Sequence, residues 1–132
     1  MNSAKRFLAT PAFIFSLLVF ILVFWGVGLL YRLNYVFWWY DVVAHFLGGV
    51  WVALSVLALK ERNLISANFL LVLGTVALVG VLWEFTEFVW DRYIFQSGFT
   101  YLSGVYEDTL SDLFFDLIGG LAALIIVRKN NA

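Results

Sequence analysis

Cysteine is absent from the chain, which excludes disulfides and thiolate metal sites and leaves the redox compartment open. Histidine occurs once, so bis-histidine haem ligation is excluded as well. Proline also occurs once, and charged residues make up only 13% of the chain, too few to dress a water-facing surface. The formal net charge is −1 with no basic patch, which argues against a nucleic-acid partner. What remains is apolar: 64% hydrophobic residues at a mean hydropathy of +0.95 in 132 residues read as an integral membrane protein in contact with the bilayer.

Four runs reach spanning length: Pro11 to Leu30, Asp41 to Leu59, Leu64 to Trp90 and Thr109 to Val127. They predict an all-α fold of four transmembrane helices in a single transmembrane domain, 1–132. The first run follows Lys5 and Arg6 as in a signal peptide, but it is about twenty residues long and no Ala-x-Ala pattern follows, so it reads as a retained helix. Lys5, Arg6, Lys60, Arg62, Arg128 and Lys129 fall on one side and Arg32 and Arg92 on the other. By the positive-inside rule both termini are cytoplasmic in a multi-pass inner (plasma) membrane protein.

That topology segregates the acids. Asp41, Glu84, Glu87, Asp91, Glu107, Asp108, Asp112 and Asp116 lie toward the extracytoplasmic side with His45, leaving Glu61 inside. The fourth run shows the energetic problem most sharply. Its eleven Leu, Ile, Phe and Val residues return roughly 5 kcal/mol on insertion, which Asp112 and Asp116 alone could cancel. Ionisable groups at such depth therefore mark a functional site by default, with compensation from cations, protons or polar partners. The outer segments, Tyr31 to Tyr40 and Asp91 to Tyr106, are rich in Trp and Tyr. They suit either an interfacial belt or a lid over the acids that binds a lipid.

The second and fourth helices echo one another. Asp41-x-x-x-His45-x-x-Gly48-Gly49 and Asp112-x-x-x-Asp116-x-x-Gly119-Gly120 have the same spacing and the same sense, as in two parallel two-helix repeats. In each, polar and small residues share one face, and Gly80, Glu84 and Glu87 form a third such stripe on helix three. Small residues let helix backbones approach, so these faces should meet.

Carboxylates from facing helices with an imidazole at one-turn spacing are how bundle-core metal centres are built. Asp41, His45, Glu84, Glu87, Asp108, Asp112 and Asp116 are the candidate ligands, for Mg2+, Mn2+ or Zn2+. As a catalytic set, Asp41, His45, Glu84 and Asp112 would act on a phosphate-bearing lipid or lipid-linked headgroup, with Arg92, Trp38 and Trp39 contacting the substrate. Two other readings stand beside this one: a proton or cation pathway, as a homo-oligomer because four helices enclose little volume, and an assembly subunit whose polar cluster fixes helix packing.

Asp41-x-x-x-His45-Phe46-x-Gly48-Gly49, Trp83-Glu84-x-x-Glu87 and Asp108-Thr109-x-x-Asp112-x-x-x-Asp116-x-x-Gly119 together resemble the YjdF-like group of small bacterial and archaeal membrane proteins. More distantly they are similar to VanZ-like proteins, associated with glycopeptide resistance. The resemblance covers Tyr40 to Gly120 and implies a small polytopic fold in which the motif residues matter. Where the VanZ-like pattern has Gln and an Asn-like residue, this sequence has Glu87 and Asp116.

Overall fold

Thr10 caps the first helix through its hydroxyl, which accepts from Phe13 N–H at 3.2 Å, and Pro11 occupies the first helical position, where its missing N–H is harmless. In this computed structural model, which describes residue 8, residues 10–96 and residues 104–129 apart from the side chains at positions 34, 35 and 95, that helix is α1, Pro11–Tyr31. It ends where Arg32 turns left-handed at φ 55° and returns its N–H to the last carbonyls. One helical turn, Leu33–Val36, leads to α2, Trp38–Glu61. A turn through left-handed Asn63 reaches Asn68, whose side chain accepts from Leu71 N–H and starts α3, Phe69–Val89. α3 continues as a π-helical segment, Trp90–Phe95, and α4 is Val105–Lys129. No strand occurs among the described residues.

All four helices are long and apolar enough to cross a membrane. The shortest, at 21 residues, is about 30 Å long at 1.5 Å per residue, which matches the hydrocarbon thickness. Three starts differ from expectation, α4 beginning at Val105 instead of Thr109. α2 begins at Trp38 instead of Asp41, so Trp38, Trp39 and Tyr40 form its first turn and not a loop. α3 begins at Phe69 and not Leu64, because Asn68 supplies the cap. Lys5, Arg6 and the 97–103 part of the aromatic outer segment lie outside the described residues.

Large side chains such as Phe15, Leu70, Leu82, Phe85 and Ile125 point outward, as they must where the solvent is lipid. Small and branched ones, Val52, Ala53, Val72, Val76 and Ala123, fill the core. α2 and α4 form the most extensive interface, and glycine makes it possible. A Cβ on Gly49 would collide with the backbone carbonyl of Asp116, and one on Gly119 with that of Phe46. The contact is thus reciprocal, one residue out of step with the sequence echo, which equates Gly48 with Gly119. α1 is tied to α2 by two side-chain donors: Trp51 Nε1 donates to the Ile14 carbonyl at 3.0 Å, and the Tyr40 hydroxyl donates to that of Phe24. The hydroxyls of Ser55, Thr75 and Thr86 donate to carbonyls four residues back, which leaves none of them unsatisfied in lipid.

Candidate metal centre

The sense of the helices brings the polar residues to one end of the bundle. α2 presents Asp41 in its first turn and His45 one turn deeper. α3 presents Glu84 and Glu87 near its close, and α4 carries Asp108, Asp112 and Asp116 in successive turns. At 1.5 Å per residue, Asp41 to Asp116 spans depths of about 5 to 16 Å below the helix starts. The opposite end holds Lys60, Arg62, Arg128 and Lys129.

His45 is the hub, and it is buried, as are Asp112 and Asp116. Its Nε2 lies 4.0 Å from Asp41 Oδ1, 3.7 Å from Glu84 Oε1 and 3.9 Å from Asp112 Oδ2. Its Nδ1 lies 3.3 Å from Asp116 Oδ2. An ionised carboxylate can only accept, so Nδ1 is placed to donate to Asp116, while Nε2 faces the other three acids beyond hydrogen-bond distance. Asp41 Oδ1, His45 Nε2 and Glu84 Oε1 are buried without a hydrogen-bond partner in the structure. Unsatisfied atoms gathered around Nε2 at a depth where water is scarce are costly, each by about 1–3 kcal/mol or more for charged groups.

A second layer of donors aims the first. Thr109 Oγ1 donates to Glu84 Oε2 at 2.8 Å, which leaves Oε1 directed at His45. Trp25 Nε1 donates to Glu87 Oε1 at 3.1 Å, and its ring meets Trp83 edge-on at 5.2 Å between centroids. Sequence reasoning missed Trp25 and carried Thr109 only as a motif residue, without a role. Thr109 shares a helical face with Asp112 and Asp116, a signal that was there to read. Trp25 lies on the helix that looked least informative, and only the tertiary structure shows that its indole N–H serves a glutamate.

Two overlapping sets of metal-competent atoms lie within 4.8 Å of one another: Asp41, His45 and Asp112, and His45, Glu84 and Glu87. Of the seven candidate ligands, five therefore converge. Asp108 is half-buried at the rim, close enough for its charge to bear on Asp41, Glu84 and Asp112. Asp116 sits on the other side of the imidazole. Arg92 is exposed on the π-helical segment and has interactions of its own, while Trp38 and Trp39 are exposed on the first turn of α2. The donor set fits a cation. Bonds of about 2.0–2.2 Å in a tetrahedral arrangement place neighbouring donors roughly 3.4 Å apart, close to the spacings around Nε2.

An all-helical membrane protein with a buried histidine and carboxylate cluster is the class that this fold and site define. The chain belongs to the family described as Predicted membrane protein (DUF2238), which it matches over residues 2–131. Comparison with curated proteins and with solved structures finds no match.

Proposed function

We propose that this protein holds a divalent metal ion between α2, α3 and α4, at the extracytoplasmic side of the plasma membrane, and uses it on a phosphate-bearing lipid or lipid-linked headgroup. One observation carries the reading: Asp41 Oδ1 and Glu84 Oε1, both buried and unpartnered, lie 4.0 and 3.7 Å from the equally unpartnered His45 Nε2, with Asp112 Oδ2 at 3.9 Å. A bound divalent ion would supply Lewis-acid polarisation of a phosphoryl oxygen and a water of lowered pKa. Asp41, His45, Glu84 and Asp112 are the residues to hold it, and whichever carboxylate stays uncoordinated is the acid or base. Arg92, on the π-helical segment, and Trp38 and Trp39, on the first turn of α2, are the proposed substrate contacts, since a guanidinium pairs with phosphate and indoles sit at headgroup level. The resemblance to the YjdF-like group fits a role for these motif residues but supplies no reaction, and the distant similarity to VanZ-like proteins contributes nothing to the chemistry.

A conduction role is disfavoured by what lies below the cluster. Val52, Val72, Val76, Ala123 and Val127 close the core toward the opposite end with apolar side chains, and among the described residues no charged one belongs to that core. A purely structural role predicts that Asp112→Asn and His45→Gln lose stability but keep metal content at the wild-type background. Elemental analysis of protein purified without chelator separates these readings. About one equivalent of a divalent metal is expected in the wild type, falling sharply in both variants. Less than about 0.2 equivalents in the wild type, unchanged in the variants, removes the proposal.

A further inference from the structure

Resting on that site, we propose that it takes a single histidine-ligated first-row transition dication in preference to Mg2+ or Ca2+, and that Asp116, seated in a glycine cradle, is the positioning residue that sets this preference. The acids alone would not carry this. His45 does, because its side chain is 3% exposed and its Nε2 is unpartnered and aimed into the cluster.

Asp116 is held against Gly80, where a side chain would crowd its carboxylate. A Cβ at Gly80 would lie 2.5 Å from Asp116 Oδ2 and 3.3 Å from its Cγ, and one at Gly48 would lie 3.6 Å from Oδ1. The carboxylate thus occupies a slot between α2 and α3 that alanine at Gly80 would fill. From that slot it accepts the Nδ1 proton of His45, fixing the tautomer and the ring plane. A metal-ligating histidine that donates its other N–H to a carboxylate is a stronger and better-aimed ligand, and such partners are typically worth 10–100-fold in affinity. The two metal-competent sets share His45, and one imidazole nitrogen serves one ion. Imidazole suits Mn2+, Co2+ or Zn2+, whereas Mg2+ and Ca2+ favour all-oxygen shells. An all-carboxylate cluster would have been enough for Mg2+. The buried, oriented imidazole at its centre is the feature that an alkaline-earth ion would not use.

The test titrates the purified full-length protein in detergent with CoCl2, MnCl2, MgCl2 and CaCl2 separately. In the wild type, Co2+ should bind about 100-fold or more tighter than Mg2+. His45→Gln should reduce that ratio by at least about tenfold. Asp116→Asn and Gly80→Ala should each weaken Co2+ binding by about 10–100-fold while moving Mg2+ binding less. Should a variant not be recovered folded, the Co2+-loaded wild type still decides by proton NMR. A hyperfine-shifted exchangeable Nδ1–H resonance that disappears in D2O reports the ligated imidazole. Mg2+ or Ca2+ bound as tightly as Co2+, or no such resonance, overturns the inference and leaves the metal site standing. Wild-type affinity in both Asp116→Asn and Gly80→Ala overturns the positioning role. No binding of any of the four ions removes the site itself.

Discussion

Asp112 is the residue at which a ligand role and a structural role part most clearly. It is 3% exposed and 3.9 Å from Nε2, among like charges. Without metal, Asp112→Asn relieves that crowding, so its thermal stability in chelator should equal or exceed that of the wild type. With metal at 100 times its dissociation constant, the wild type should gain about 2.7 kcal/mol and the variant little, read as the shift in unfolding temperature between chelator and metal. A variant destabilised equally in both conditions would mean that Asp112 serves packing. Trp25→Phe keeps the ring and removes the N–H that Glu87 accepts, so it should cost about 0.5–1.5 kcal/mol of stability in the same assay. The i, i+4 spacing of Asp41 with His45 and of Asp112 with Asp116 was legible in the sequence, as was the Glu84-x-x-Glu87 pair. The division of labour was not. Asp116 and Asp112 look alike along the chain, and only the glycine gap at Gly80 puts one on Nδ1 and the other on the Nε2 side.

Among the elements, α2 and α4 decide where the site lies, because their backbones touch at Gly49 and Gly119. Gly49→Ala and Gly119→Ala should each destabilise the protein by about 1–3 kcal/mol or more, since a backbone carbonyl cannot move aside as a side-chain tip can. Gly26→Ala and Gly74→Ala meet no neighbouring atom within 4 Å and should be neutral or slightly stabilising in helices that prefer alanine. Equal effects at all four positions, measured by thermal unfolding in detergent, would contradict the close-approach account. Four spanning helices were readable from run length and hydropathy alone. The start of α1 at Pro11 was readable too, but those of α2 and α3 were not, because Asn68 caps α3 inside an apolar run and the Trp-Trp-Tyr triplet, which resembles an interfacial loop, is the first turn of α2. The echo between helices two and four anticipated that their glycine faces meet, but not the one-residue offset at which they do.

For the whole molecule, charge separates along the bundle: acids and histidine at one end, Lys60, Arg62, Arg128 and Lys129 at the other. In the proposed topology, which the positive-inside rule gives a cytoplasmic basic end, a membrane-impermeant maleimide should label Gln96→Cys in intact cells and Arg62→Cys only after permeabilisation. The chain has no cysteine of its own to confuse the result. The reverse pattern would place the cluster, and with it the leaflet of the proposed substrate, on the cytoplasmic face. Beneath the cluster the described core is apolar, which suits the proposed chemistry at a headgroup better than passage across the membrane. X-ray absorption at the edge of the metal bound to wild-type protein tests the central claim most directly. The expected first shell is one imidazole nitrogen with carboxylate oxygens at about 2.0–2.2 Å. A shell of oxygen alone, unaltered in His45→Gln, would show that whatever binds does so away from the site these helices build.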